Sequence, residues 1–461
     1  MSDQPLARHP LTRLRQQRGW SLTDLAQVVQ RRAGVNMAAN RQKVWRWEHG
    51  LAVPDLPAQL AIAAEVGIDP HTIAALPWPT WLLTVDGMER IDQGWTTDTA
   101  KNTLTLVGCM TDISDDDRRA YLLLTGQQAA DLATAWAAVP AVPTIPTSKL
   151  RHTADHGIVD AELAGWVESR VHQLWHLDDL IGGDYCLTLA QADLQLIHRL
   201  LEQARYGGLI EQRLLAAAGE LLRLAGWCAF DADRHAAAER YWHAGLRTSA
   251  AGGDTLTGAY ILSLMAMQHS YAGDGRTAIN LLQTARERIG PGSSRTVHAM
   301  LDAWQVRAHA AAGEAAQAIK VLARADAHWE RRDPDEDPAW AYWMRRPSHT
   351  IEVGLGFVGL GRCDIAVRLL EEGQAGRSLD YTRDTALGLT AIAGAQVEQG
   401  DLDGALENAG RAADLMATVD SSRVTDLLQS FSRRLPHGPV QAAFQNRLET
   451  LAESADQSAG E

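Results

Sequence analysis

Cysteine is scarce: four residues, Cys109, Cys186, Cys228 and Cys363, lie far apart and form no C-x-x-C pair. That spacing excludes a disulfide framework and a cysteine zinc site, and it fits a reducing compartment. Phenylalanine is nearly missing, at four residues, while tryptophan reaches 15. No apolar run approaches the roughly 18 residues of a membrane span, so no membrane partner is expected. Met1–Pro10 has no apolar core, so no signal peptide is expected and the location implied is cytoplasmic. Walker A, G-x-S-x-G and H-E-x-x-H patterns are all missing, and nothing in the chain argues for an enzyme, a cofactor or a catalytic residue. Cations are outnumbered, 43 Lys+Arg against 57 Asp+Glu, for a net charge of −14 over 461 residues. Taken whole, that balance speaks against a nucleic-acid binder.

The charge is unevenly placed. Residues 1–50 carry nine Lys+Arg against Asp3, Asp24 and Glu48, so this head is +6 and the rest of the chain is −20. Alanine is abundant, at 74 residues, which predicts a mostly helical chain with close helix crossings. The head reads as four short helices. Pro10 opens the first, with Leu11 and Leu14 inward and Arg13, Arg15 and Arg18 outward, and Gly19 ends it. Ser21 is an N-cap with Asp24 three residues on. Asn40 can cap a helix over Arg41–Glu48, with Val44 and Trp47 inward. Pro54-Asp55 opens the fourth.

L-R-x-x-R-G-W-S-L-T-D-L-A at Leu14–Ala26, V-W-R-W-E-H-G at Val44–Gly50 and P-D-L at Pro54–Leu56 resemble the Cro/C1-type (XRE family) helix-turn-helix regulators. The resemblance covers about 60 residues, within a domain at 8–70. It implies a helix near Asn40 lying in the major groove of double-stranded DNA. Arg41, Gln42 and Arg46 would then meet base edges, and Asn40 and Lys43 phosphates. Trp45, Ser21 and Arg18 complete the implied DNA-binding set. Two positions depart from the family: Leu22 stands where Gln often contacts a phosphate, and the turn Arg31–Ala39 is several residues longer.

Residues 71–149 read as a connecting segment. P-W-P-T-W-L at Pro77–Leu82 cannot continue a helix and is expected to pack its tryptophans. Thr103–Val107 suggests a short strand, and a helix is expected from about Asp117 to Ala138. Arg118-Arg119-Ala-Tyr-Leu-Leu resembles a twin-arginine export motif, but it lies far from the N-terminus, where such a signal acts. Pro140, Pro143 and Pro146 mark a linker.

Residues 150–456 repeat a unit G-[polar]-x-x-x-A, at Ala232, Gly273, Gly313, Gly361 and Gly400. The polar positions, 233, 274, 314, 362 and 401, lie 41, 40, 48 and 39 apart. Glycine would end one helix, and the small alanine would let the next cross closely. This resembles tetratricopeptide repeats with a lengthened period, and it implies an α-solenoid with a concave binding face. Helices near 160–180 and 187–206 precede it, Arg423–Ser454 caps it, and Arg331–Pro338 reads as an exposed acidic loop. The expected fold is thus all-α: an N-terminal helix-turn-helix domain of four or five helices, a linker and a solenoid.

Three further motifs stand out. Gly354-Leu-Gly-Phe-Val-Gly359 matches G-x-G-x-x-G but sits in a repeat helix with no strand ahead, so it reads as helix packing. His172 and His176, with Glu168, share a helix face and offer a metal set without a second cluster; His152 and His156 are a lesser pair. No metal is expected. Trp304, Arg307, Trp343, Arg345 and Arg346 combine aromatics and arginine, as a groove for a peptide or small anion would.

The body also resembles actinobacterial regulators, through P-W-P-T-W-L and through L-A-A-A-G-E-L at the start of Leu215–Ala232. Peptide-sensing quorum regulators of Gram-positive bacteria share the architecture only. The function implied is a homodimeric transcriptional regulator, on the nucleoid when DNA-bound, whose repeats bind a peptide, small-molecule or protein effector. The alternative is a repeat scaffold for protein partners with a vestigial head.

Overall fold

The computed structural model describes residues 9–18, 20–33, 41–66, 73, 78–79, 81–82, 94–108, 124, 126–141, 158–181, 183–376, 381–416 and 421–459. Asn40, Arg118-Arg119, Pro143, Pro146, His152, His156, Cys109 and most of the long turn after Arg32 lie outside them. Among the described residues the chain is helical, with one isolated β-bridge between Ile158 and Arg205. No described helix is long and apolar enough to cross a membrane.

Four helices make up the head: α1 (Pro10–Gln17), α2 (Leu22–Ala33), α3 (Arg41–Glu48) and α4 (Leu56–Val66). Ser21 and Asp24 cap α2 reciprocally. The Asp24 amide donates to Ser21 Oγ at 3.2 Å and the Ser21 amide to Asp24 Oδ2 at 2.8 Å. Leu11, Leu14, Leu25, Val29, Val44, Trp47 and Ile62 form a core of their own. Trp81 joins it, fully buried, and its indole N–H donates to Gln59 Oε1 at 2.9 Å. The proline-tryptophan segment thus ties itself to α4. Arg15 does not point outward as its spacing suggested. Its guanidinium reaches across to Glu48, with Nε 2.6 Å from Oε1, and donates to the Trp20 carbonyl. One ion pair therefore fixes α3 against α1.

Two helices follow, α5 (Thr97–Gly108) and α6 (Gln127–Ala137). The strand expected at Thr103–Val107 is instead the second half of α5. Ala100, Thr103 and Leu104 face the large core at helical spacing, so burial overrides the local β preference of Thr and Val. The helix expected from Asp117 is described only from Gln127, after Gly126 at φ 51°. Both helices pack on the body. Trp136 lies against Gly258, and Arg247 stacks over Trp95 while donating to the Gly94 carbonyl.

The body is a run of helices joined mostly by short turns. They are α7 (Ala161–Ile181), α8 (Gly183–Gln203), α9 (Gly208–Asp231), α10 (His235–Gly252), α11 (Thr255–Tyr271) and α12 (Gly275–Ile289). Then come α13 (Arg295–Ala311), α14 (Ala315–Glu330), α15 (Arg346–Gly359) and α16 (Cys363–Ala375). The last four are α17 (Thr382–Gln399), α18 (Leu402–Leu415), α19 (Ser422–Arg434) and α20 (Pro439–Ala459). Two 3-10 turns, Pro334–Glu336 and Ala339–Trp343, fill the insertion between α14 and α15.

The turns at the five repeat units share one geometry, which the turn at Gly253 also has. A residue at positive φ is followed by an amide that donates back to the carbonyl five residues earlier: Arg234 to Ala229, Asp274 to His269, Glu314 to His309, Arg362 to Phe357 and Asp401 to Gln396. This is the six-to-one bond of a helix C-cap. Gly273, Gly313, Gly361 and Gly400 take the left-handed position, but in the first turn it is Asp233, at φ 59°. Ala232, aligned with the glycines by sequence, is one residue early. Shifting it makes the first two intervals equal and puts Ala238 on the repeat's alanine. The repeat alanines Ala278, Ala318, Ala366 and Ala405 are buried, as closely crossing helices require.

Gly275 and Gly273 separate packing from backbone conformation. A Cβ on Gly275 would stand 2.4 Å from the Ala312 amide nitrogen, which is backbone and cannot turn aside; one on Gly273 meets nothing but sits at φ +81°. Gly275→Ala is expected to cost about 2–3 kcal/mol and Gly273→Ala about 1 kcal/mol. Urea unfolding of the full chain reads both.

Candidate functional site

On α3 the apolar side faces the head core and the polar side faces out. Val44, Trp47 and Glu48 are buried, while Arg41, Gln42, Lys43, Trp45 and Arg46 are exposed. Trp45 is 44% exposed and stacks on His49 at 4.1 Å; Lys43 lies over the Trp47 ring at 5.7 Å. Arg18 is exposed after α1, and Ser21 is exposed with its hydroxyl already used in the cap of α2. One short helix therefore presents three cations, an amide and an indole on a single exposed surface. Burial and the nearby His49 hold His9 down at about 4, so it adds no charge near neutrality.

The second site is a cavity of about 360 Å³ in the body. Its helical walls are α7, α9, α11, α13, α15, α17 and α19, with the 3-10 turn Ala339–Trp343 closing one side. Every second helix contributes and the intervening ones contribute nothing, so the cavity marks the inner layer of the array. The wall is strongly aromatic. Tyr260 stacks on Trp340 at 4.4 Å, Trp304 on Trp343 at 6.3 Å, and Trp175 runs parallel to Tyr342 at 6.4 Å. The Arg223 guanidinium lies 4.6 Å over Tyr260 and 5.9 Å from Trp175, a cation–π contact inside the wall.

A buried ion network forms another part of the wall. Arg383 of α17 donates to both oxygens of Asp178 on α7, at 3.2 and 2.9 Å, and lies 3.3 Å from Asp231 of α9. Arg423 of α19 lies 3.3 Å from the other Asp231 oxygen. Burial opposes the charge on Arg383, but Asp178 and Asp231 outweigh it and raise its pKa. Asp179 differs from its neighbour. It accepts from the Tyr342 hydroxyl at 2.6 Å, and burial, with Asp178 and Asp384 adding to it, raises its carboxyl to about 6.

Trp304, Arg307 and Trp343, singled out by composition, line this cavity; Arg345 and Arg346 do not. Arg307 is paired with Glu352 at 2.7 Å, and Arg346 lies 3.7 Å from Glu330. Sequence spacing did not single out Asp179, Arg223, Arg383 or Arg423 for the site. The only local signal was Asp178-Asp179 following a tryptophan. The G-x-G-x-x-G glycines are packing contacts: Gly354 abuts Leu370 and Gly356 abuts Val306. The His172 ring lies tilted against Trp175 and the His176 ring against Tyr342, both with centroids 4.4 Å apart, while Glu168 is taken by Arg213.

Asp178, Cys186 and Cys228 bring three donor atoms within 4.8 Å of one another. Asp178 is already held by Arg383 and the Trp227 indole, and burial pushes the Cys228 thiol well up, away from the thiolate a metal needs. No protein-family model matches the chain, and no curated protein matches it.

The two neighbouring aspartates should respond oppositely. Arg383→Met strips Asp178 of its guanidinium, leaves Asp231 with Arg423 alone, and is expected to cost about 3–5 kcal/mol in denaturant unfolding. Asp179 binds its proton more tightly folded than unfolded, so stability is lost as pH rises from about 4 to about 6. Asp179→Asn removes that loss. It should raise stability by about 1–2 kcal/mol at pH 8 and leave it unchanged at pH 4.

Proposed function

We propose that the protein is a sequence-specific DNA-binding regulator. Its head would act as a Cro/C1-type helix-turn-helix, and its body as a tetratricopeptide-like solenoid that dimerises and holds an effector. The observation that carries this is the α3 surface. Arg41, Gln42 and Arg46 are exposed on a helix whose other face is locked into a core. Arginine grips guanine through two hydrogen bonds and glutamine grips adenine, so this is the residue set that base readout uses. The Arg15–Glu48 pair supports it from behind by fixing how α3 sits on the head. Leu22, in place of the frequent glutamine, removes one phosphate contact and shifts the burden to Lys43 and Arg18.

Charge supports the same division of labour. A +6 head attracts phosphates, while a −20 remainder is repelled by them and lowers non-specific affinity. An effector in the inner cavity would act through the spacing of two heads, since two half-sites demand a fixed separation. Asn40 is assigned to a phosphate by family resemblance alone.

The decisive measurement is binding of the full chain to sequences selected from a genomic DNA pool, at several salt concentrations. Arg41→Ala with Arg46→Ala is expected to weaken specific binding by about 10- to 1,000-fold, at roughly 1–3 kcal/mol per lost base contact with partial additivity. Lys43→Ala should weaken all sequences alike and lower the salt slope by about one. Unchanged affinity in the double variant would overturn the assignment and leave the scaffold alternative.

A further inference from the structure

We propose that the inner cavity takes a small organic cation. Its ammonium or guanidinium group would sit at Asp179 beside Trp175 and Tyr342, and its flat apolar body against the remaining aromatic wall. This rests on the cavity being an effector site, and it reverses the anionic preference that arginine-rich composition suggested.

The arginines of the wall are already committed. Arg223 pairs with Glu220 at 3.2 Å, Arg307 with Glu352 at 2.7 Å, Arg434 with Glu398 at 2.6 Å, and Arg383 and Arg423 share Asp231 at 3.3 Å. An anion entering here would compete with carboxylates built into the fold. Asp179 is in the opposite position: its hydrogen-bond donor is a neutral phenol, and its nearest charged neighbours include two further carboxylates, Asp178 and Asp384. Among the carboxylates that line the cavity, Asp178 and Glu352 are bonded to Arg383 and Arg307, whereas Asp179 is bonded to a phenol, so a cation's charge can pair there.

The aromatic wall fits the same ligand. The ring faces carry negative charge density, and Arg223 over Tyr260 shows the wall already accepting a guanidinium. Two wall tryptophans, Trp175 and Trp304, are buried with indole N–H groups that have no acceptor. A carbonyl or hydroxyl oxygen on the ligand would satisfy either one. The volume, about 360 Å³, suits a small molecule rather than an extended peptide.

Three indole probes that differ in charge separate the possibilities on the full-length protein: tryptamine, neutral N-acetyltryptamine and anionic indole-3-acetate, followed by calorimetry and thermal shift. Tryptamine is expected to bind at least tenfold tighter than either of the others. Its affinity should fall about tenfold from pH 7 to pH 5 and level off above about 7, because the cation binds the ionised Asp179. The groups around Asp179 set that response: Asp178 and His176 on α7, Tyr342 on the 3-10 turn, Tyr381, Arg383 and Asp384 at α17, Tyr260 on α11 and Arg223 on α9. Asp179→Asn should erase the preference for tryptamine and its pH dependence. Tyr342→Phe, which keeps the ring, should retain the preference within a fewfold.

Tighter binding of indole-3-acetate would overturn the cation assignment while leaving an effector cavity standing. Equal binding of all three would mean a purely apolar site and would overturn it as well. Binding of none at millimolar concentration, or of a cationic peptide alone, would overturn both the small-cation assignment and the cavity size on which it rests.

Discussion

The body depends on one buried contact, the Arg383 guanidinium between Asp178 and Asp231. These residues lie on α17, α7 and α9, and Arg383 and Asp178 are 205 positions apart in the chain. All three are almost fully buried, so none is solvated and each requires the others. Helix pairs stacked by nearest-neighbour packing have no reason of their own to bring their seventeenth element back to their seventh. Here an ion network does so, with Arg423 extending it to α19. It turns a run of helices into a wall around a space.

What lines that space follows from alternation. Consecutive helices cross closely where a glycine makes room for a neighbour's side chain, as Gly373 does for Ile351 and Gly226 for Trp242. Small residues therefore belong to the seams between layers. The aromatics that line the cavity sit on the inner layer, where the 3-10 turn after the acidic insertion places Trp340, Tyr342 and Trp343 opposite Trp175 and Tyr260. The break in the repeat rhythm is thus the element that closes the cavity. Polar groups that the ion network does not use, Asp179 above all, give the site its charge.

The local elements were largely legible. Ser21 and Asp24 announced the start of α2, Pro54-Asp55 the start of α4, and four glycines the turns of the array, because each encodes a short-range hydrogen bond or a backbone conformation. Errors came where tertiary burial overruled a local signal. Thr103–Val107 carries β-formers yet is helical, because its periodic face packs on the body. Asp233 takes a left-handed turn that composition assigned to a glycine equivalent one place earlier. Arg15 looked like a solvated cation, and it is a strut between α1 and α3.

By itself, then, the sequence determined the helical class, the positions of the recurrent turns, the +6 head and the candidate face on α3, since these depend on spacing within a few residues. Only the tertiary structure decided which aromatics share a cavity, which arginines are neutralised and which carboxylate is held by a phenol rather than an arginine. Those properties arise between helices brought together over as many as 205 positions, by packing and buried charge that no local spacing records.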